Sequence, residues 1–344
     1  MNVWKTISKE NREKIMVSIK DVAKEAGVAV STVSKVLNNY PGVSSETKIK
    51  VNQAIEKLNF VPNAVASCLS SKKNSRVAIL LNQTSQTTAI DEIDMQYLSG
   101  AIVKAKELGL DVITIFFSML QDMSEKEIVT YLKSQSITGL LILGLSRDDE
   151  KFLKLIEEKE FKVSLVDVPI VNESTSSIWI DQKKAQREVI ENLLESDKVK
   201  SLLYIFGKEN GFVTKERIEA VRKLCKERKL DLALRCGNFS EKQAREIVLK
   251  EGKKYDMIAC ASDLMAIGAM KALTDMDIFR PVCGFDGITL MGYVGKMMTT
   301  VRQNFYGISS LAMVELERLL LGNEGRQVIA EHEIVKIDYM DIIR

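Results

Sequence analysis

The chain has 344 residues, 46% of them hydrophobic and 28% charged, enough for one small domain and one large domain with a substantial core. Its net charge of +2 is unevenly spread: residues 1–73 carry +6 and the remainder −4, the pattern of a protein that touches a polyanion with one part only. Five scattered cysteines without a CxxC pair and the single histidine, His332, argue against a disulfide framework or a metal site, and no apolar run is long enough for a membrane span or a secretion signal, so a cytoplasmic protein without metal or cofactor is expected.

Residues 1–16 show weak periodicity and read as an N-terminal extension, with Met16 as an alternative start. From there the helix signals are strong. Ser18 precedes Ile19, Val22, Ala23 and Ala26, an apolar stripe with helical spacing, with Asp21 in the first turn and Gly27 just past the end. After Val28 and Ala29 a second helix is expected to run to about Asn38 with Val33, Val36 and Leu37 turned inward, and Ser44 opens a third with Val51, Ala54, Ile55 and Leu58 on one face. Three short helices, the first two joined by a tight glycine turn, predict a helix-turn-helix bundle over residues 17–60. In the linker that follows, residues 61–75, Pro62 opens a helix too short to hold alone in water, expected to order only when something packs on it.

From Arg76 the pattern changes to short β-rich runs, among them "RVAILL", "GLLILG", "SLLYIFG" and "MIACAS", alternating with amphipathic stretches such as "KERIEAVRKLCKERK" and "LMAIGAMKAL". This alternation predicts parallel sheets covered on both faces, and the polar interruption near "NESTSS" predicts two lobes over residues 76–344. A cleft between them would gather the carboxyl ends of the strands around a ligand. No GxxxxGK, GxGxxG or GxSxG motif occurs, and one histidine gives little acid–base capacity, so an α/β enzyme is set aside.

Residues 27–39, "GVAVSTVSKVLNN", hold the candidate DNA-reading surface. With the valines and Leu37 inward, Ser31, Lys35 and Asn38 share the outer face, flanked by Val30 and Ser34. Lysine can bond guanine O6 and N7, serine is tolerant, and a valine can meet a thymine methyl. Lys20, Lys24, Lys48 and Lys50 lie on neighbouring elements and suit phosphates. An exposed helix face of ordinary composition has the same spacing, so the residues alone leave both readings open.

Residues 18–73, "SIKDVAKEAGVAVSTVSKVLNNYPGVSSETKIKVNQAIEKLNFVPNAVASCLSSKK", resemble the DNA-binding segment of the lactose-repressor (LacI/GalR) family of bacterial transcription regulators, and "DLMAIGAMKAL", "GFDG" and "TTVRQNF" resemble that family's sugar-binding-protein-like core. The resemblance implies an all-α helix-turn-helix DNA-binding domain followed by a two-lobed α/β periplasmic-binding-protein-like core with parallel sheets. Its first lobe would comprise about 76–176 and 305–328, its second 177–300 and 329–344. Base reading is implied for Val30, Ser31 and Lys35, and backbone contact for Lys20, Ser34, Asn38, Asn63 and Lys72. Leu69 falls where a hinge-helix leucine enters the minor groove, an apolar wedge whose unstacking cost is offset by wider contact with bent DNA. Effector contacts are implied for Asp167, Arg217, Phe239, Ser262, Asp286 and Gln303. Each has a structural alternative of its own kind: Asp286 can cap a turn, Phe239 can be core, and Arg217 can pair with Glu216 or Glu219.

The expected protein is therefore a homodimeric repressor that binds a pseudo-palindromic double-stranded operator and answers to a small molecule, a carbohydrate or related metabolite. The alternative keeps the DNA-binding role but replaces the effector with a protein corepressor or with none. Several positions depart from the family pattern. Ala29 stands where a helix-capping serine is usual, Lys35 replaces a more frequent arginine, Ser262 a common asparagine and Gly287 a common second aspartate. The aromatic-rich start of the first lobe is replaced by "NQTSQTTAIDEID", with an acidic cluster at Asp91, Glu92 and Asp94, which leaves the first-lobe wall of the pocket undetermined.

Overall fold

The computed structural model describes residues 17–37, 42–58, 60, 75–82, 88–194 and 199–343. The chain divides into two compact units, residues 1–74 and 75–344. The expected N-terminal extension, Asn38, Asn63, Leu69 and Lys72 lie outside the described residues.

In the first unit, α1 (Ile19–Ala26), α2 (Val30–Leu37) and α3 (Ser45–Lys57) close on a core of Val22, Ala23, Val33, Val36, Val51 and Ala54. Helices of eight residues are marginal alone, so this shared core rather than propensity makes them stable. Local chemistry fixes their ends. The backbone N–H and hydroxyl of Ser18 both donate to the Asp21 carboxylate, at 2.8 and 2.7 Å, and open α1. Gly27, at φ +65°, stops it in a left-handed turn that a side chain would strain. Ser44 accepts from the Thr47 N–H at 3.2 Å and caps α3. Ala29 precedes α2 with only its carbonyl engaged, accepting from Thr32 and Val33.

The second unit holds two six-stranded sheets. The first, in the order β11-β5-β4-β3-β1-β2, is parallel throughout and uses β1 (Arg76–Leu81), β2 (Asp111–Phe116), β3 (Ile137–Leu143), β4 (Lys162–Val166), β5 (Thr175–Ile180) and β11 (Gln327–Ala330). Its helices are α4 (Thr88–Leu108), α5 (Glu125–Ser134), α6 (Glu150–Glu157) and, returning late in the chain, α11 (Phe305–Leu320). The second sheet, in the order β12-β10-β9-β8-β6-β7, uses β6 (Ser201–Phe206), β7 (Asp231–Cys236), β8 (Met257–Cys260), β9 (Val282–Cys283), β10 (Met298–Gln303) and β12 (His332–Ile337), with only β12 antiparallel to its neighbour. It carries α7 (Gln182–Glu191), α8 (Phe212–Arg228), α9 (Glu241–Glu251), α10 (Asp263–Asp275) and the short α12 (Tyr339–Ile342).

The chain crosses between lobes near Asp181, Asn304 and Glu331. Two crossings fall later than the expected boundaries at 176 and 328, because β5 and β11 both belong to the first sheet. The serine-rich run that looks like a linker is a buried strand. Ser177 donates to the Val168 carbonyl at 2.6 Å and Ser176 to the buried Glu315 at 3.3 Å, so both serine hydroxyls find partners inside the lobe, while the buried Thr175 hydroxyl has none.

Candidate functional site

On α2 the structure turns Val33 and Val36 into the core and leaves Val30, at 41% exposure, with Ser31 and Lys35 outward. Ser34 is half-buried beside them. Lys20 and Lys24 are exposed on α1 and Lys48 on α3, whereas Lys50 is held by Glu46 at 2.8 Å and Lys57 by Glu25 at 2.6 Å. Such exposed pairs contribute little and are readily exchanged for a phosphate. The surface is slim, basic and free of large side chains, which is what the major groove admits.

In the second unit the loops at the carboxyl ends of the strands carry the expected effector residues. Asp167 follows β4, Ser262 follows β8, Asp286 follows β9, and Gln303 ends β10. Arg217 projects from α8 and is only 4% exposed. Its Nε donates to Gln182 Oε1 at 2.8 Å, one terminal nitrogen donates to the Ala261 carbonyl at 2.5 Å, and the guanidinium lies 3.5 Å from the centre of the Phe285 ring. Gln182 in turn donates to Asp167 at 3.0 Å, so an arginine, an amide and a carboxylate form one chain of bonds. Gln303 donates to Asp286 at 3.1 Å, leaving the Gln303 side-chain oxygen buried without a hydrogen-bond partner. The anticipated pairing of Arg217 with its helix neighbours does not occur, since Lys183 takes both Glu216 and Glu219, at 3.2 and 2.8 Å.

Asp167, Asn238, Phe239 and Asp286 have φ values of 60, 56, 55 and 136°. Non-glycine residues rarely hold such backbone angles, and these four lie in loops at the carboxyl ends of strands, while Ser136, Lys159, Lys229 and Asp277 adopt them in turns elsewhere. Phe239 covers Gly207 so closely that a Cβ at that position would come within 2.0 Å of the ring. The Ser262 hydroxyl accepts from the Met265 N–H at 3.3 Å and caps α10, so its structural use is plain.

Three residues that the sequence did not single out complete the cleft. Tyr97, on α4, is buried and packs edge-to-face on Phe305 with ring centres 5.1 Å apart, supplying the missing first-lobe wall. Burial first, then the carboxylates of Asp167, Asp286 and Asp94, push its phenol well above the usual range, so it stays a neutral donor. Gln182 bridges Asp167 and Arg217. Asp263 accepts from the backbone of Gly287 and Ile288, at 2.6 and 2.9 Å, and from the Thr300 hydroxyl at 2.5 Å, which fixes the loop that carries Asp286. Burial pushes the Asp263 carboxyl up to about 6 against those bonds. Burial also raises Asp167, opposed by Arg217, and raises Asp286 well above the ordinary range, aided by the nearby Asp263. These groups combine carboxyl and amide acceptors with guanidinium, amide and phenol donors, a workable set for a hydroxylated ligand.

Among the described residues no group of His, Cys, Asp and Glu could hold a metal ion, and no helix is long and apolar enough to cross a membrane. A helix-turn-helix unit followed by a two-lobed α/β core with its polar side chains at the strand ends defines a class of protein, the DNA-binding regulators with a small-molecule-binding core. A family model for bacterial regulatory proteins of the lacI family matches residues 18–63, and one for periplasmic binding proteins and the sugar-binding domain of the LacI family matches residues 79–325. The chain is 31% identical to the HTH-type transcriptional regulator RegA of Clostridium saccharobutylicum, over 93% of this chain and 98% of that protein. It is 29% identical to catabolite control protein A of Staphylococcus aureus, over 94% and 98%. Among solved structures, the lac repressor dimer bound to operator and an anti-inducer matches with a TM-score of 0.77 at 23% identity, covering 93% of this chain and 97% of that one. The transcriptional regulator CelR in complex with cellobiose matches with a TM-score of 0.66 at 22%, covering 93% and 98%. The chain belongs to the LacI family of bacterial regulatory proteins: it is a DNA-binding transcription regulator with a sugar-binding type of effector domain, and not an enzyme.

Proposed function

We propose that this regulator is a repressor that binds a pseudo-palindromic operator as a homodimer, with Val30, Ser31 and Lys35 reading bases and Lys20 and Ser34 on the backbone. Asn38, Asn63 and Lys72 are proposed as further backbone contacts and Leu69 as the minor-groove wedge, on the family pattern alone. Its affinity for DNA is set by a small hydroxylated molecule, a sugar or related metabolite, held between the lobes by Asp167, Arg217, Asp286 and Gln303, with Phe239 and Ser262 at its margin. The observation that supports this reading best is the bonded series Asp167–Gln182–Arg217 lying with Asp286 and Gln303 at the strand ends of the core. Titration calorimetry of the full chain with sugars, nucleosides and phosphorylated sugars tests it. Saturable binding of one of them, lost in Arg217→Ala, is expected; no binding by any of them, with DNA binding intact, defeats it.

A second reading, control by a protein corepressor, is favoured by one feature. Tyr306, Leu311 and Val314 on α11, with Leu321 just past its end, leave apolar side chains exposed. Substitution of Leu311 and Val314 by Glu separates the two readings, because it removes regulation by a protein and leaves small-molecule binding untouched.

A further inference from the structure

The polar groups at the strand ends are unequal in charge, and the imbalance lies among side chains that the structure ties together. Asp167 accepts from the Gln182 amide at 3.0 Å and from the Tyr97 phenol, and Asp286 accepts from the Gln303 amide at 3.1 Å. Asp94, one turn before Tyr97 on α4, is half-buried, and the Tyr97 phenol stands in the field of all three carboxyls. One cation, Arg217, acts on the same phenol. Among the described residues it reaches Asp167 only through the Gln182 amide, since its Nε donates to Gln182 and a terminal nitrogen to the Ala261 carbonyl. Two further carboxylates border the loop that carries Asp286, and both are engaged. Asp263 takes the Gly287 and Ile288 amides at 2.6 and 2.9 Å, and Glu92 on α4 accepts from the Thr289 N–H at 3.0 Å. Gln303 is only 5% exposed, and no donor of the protein reaches its buried Oε1.

We propose that the small molecule bound at these strand ends carries a protonated amine beside its hydroxyls, as an amino sugar does, and that Asp286, Asp167 and the Gln303 oxygen receive its ammonium group. The proposal rests on the reading that a hydroxylated small molecule binds between the lobes, and it adds a charge to that molecule. An ammonium brings three donors and no acceptor, which matches two carboxylates and an amide oxygen. A hydroxyl in the same place brings one donor and leaves the carboxylates without a countercharge, a costly arrangement where water is excluded. Hydrogen bonds to an ionised partner are also shorter and stronger than neutral ones. Burial favours the protonated forms of Asp167 and Asp286, with Arg217 opposing it in both. A cation captures the ionised forms instead, so an amine binds with release of protons and binds more tightly as the pH rises, while it stays protonated itself. A neutral sugar that accepts from a protonated carboxyl behaves in the opposite way and weakens as the pH rises.

Titration calorimetry of the full chain with glucosamine, galactosamine and mannosamine, each beside its parent hexose and its N-acetyl derivative, tests the charge with the shape held nearly constant. One of the three amines is expected to bind roughly tenfold or more tightly than both of its neutral counterparts, the scale by which charge-assisted hydrogen bonds exceed neutral ones. Its heat of binding is expected to vary with the ionisation enthalpy of the buffer in the sense of proton release. Asp286→Asn, which keeps the shape and removes the charge, is expected to erase the preference and the proton release together. Should that variant fail to fold by circular dichroism, Asp94→Asn, at a half-buried position, is expected to lower the same preference. A hexose or N-acetyl derivative that binds as tightly as its amine overturns the proposal and leaves a neutral effector in the cleft. Binding by none of the amines also overturns it, and a nucleoside or phosphorylated sugar that then binds preserves the effector reading alone. An unchanged preference in the folded variant removes the ammonium from these carboxylates and overturns the assignment.

Discussion

At the scale of single residues, charge and burial make the sharpest claims. Lys35 carries the one charge on the proposed reading face of α2 and offers a point charge on a flexible stem where an arginine would offer a rigid fork. Lys35→Ala should cost about 1 to 3 kcal/mol of operator affinity and relax the choice at one base pair in each half-site. A binding-selection experiment that returned an unchanged site preference would falsify that role. In the cleft, Asp286 is pushed above its ordinary range by burial and by Asp263, so folding favours its protonated form. Its contribution to stability is complete below an unfolded value near about 4 and is lost as the pH rises through the folded value. The melting temperature of the protein relative to that of Asp286→Asn should therefore climb as the pH is lowered from above the raised folded value toward the ordinary carboxylate range. A difference that does not change with pH would show that Asp286 carries no such penalty.

At the scale of elements, the helix ends explain which parts of the unit are firm. Ser18 bonds Asp21, the Gly27 N–H donates to the Lys24 carbonyl and Ser44 accepts from Thr47, whereas α2 begins on an alanine that gives nothing from its side chain. Ala29→Ser should stabilise α2 by about 1 kcal/mol, read as slower exchange at the Thr32 and Val33 amides, with α3 unaffected. Equal slowing in α3 would mean that the whole bundle rather than the cap had changed. Elements with unbroken apolar runs, such as β1, β3 and β6, were legible from sequence, as were the three short helices of the first unit. The others were hidden for identifiable reasons. β7 has Asp231 and Arg235 and lies half-exposed at a sheet edge, β11 is only four residues long, and β12 alternates with the charged Glu333 and Lys336. Likewise the motifs put Arg217, Asp286 and Gln303 forward as candidates, and the structure places them in the bonded groups at the strand ends. Tyr97, Gln182 and Asp263 were not, because their roles arise only when separate strand ends are brought together.

At the scale of the whole molecule, α4 carries three separate tasks on three sides. Glu92 reaches across the cleft, Tyr97 and Ala101 face the interior, and Met95, Ile102 and Val103 face outward at 63, 46 and 41% exposure. The outward stripe repeats at helical spacing, and such a stripe on a soluble protein is costly unless something covers it. A second copy of the chain is the proposed cover, since a regulator with one short reading helix per subunit gains specificity by presenting two. Replacing Ile102 and Val103 together by Glu removes two large apolar contacts and adds charges that would be buried on association. That should weaken self-association by at least about a hundredfold, on roughly 1.5 to 3 kcal/mol for each apolar side chain lost. Sedimentation equilibrium reads the assembly directly, and titration on a full operator and on a half-site reads its consequence. The double variant should sediment as a monomer and bind the full operator no more tightly than the half-site, with the fold of each unit unchanged by circular dichroism. A variant that remains dimeric and still prefers the full operator would assign the α4 stripe to another partner and place the dimer contact elsewhere on the chain.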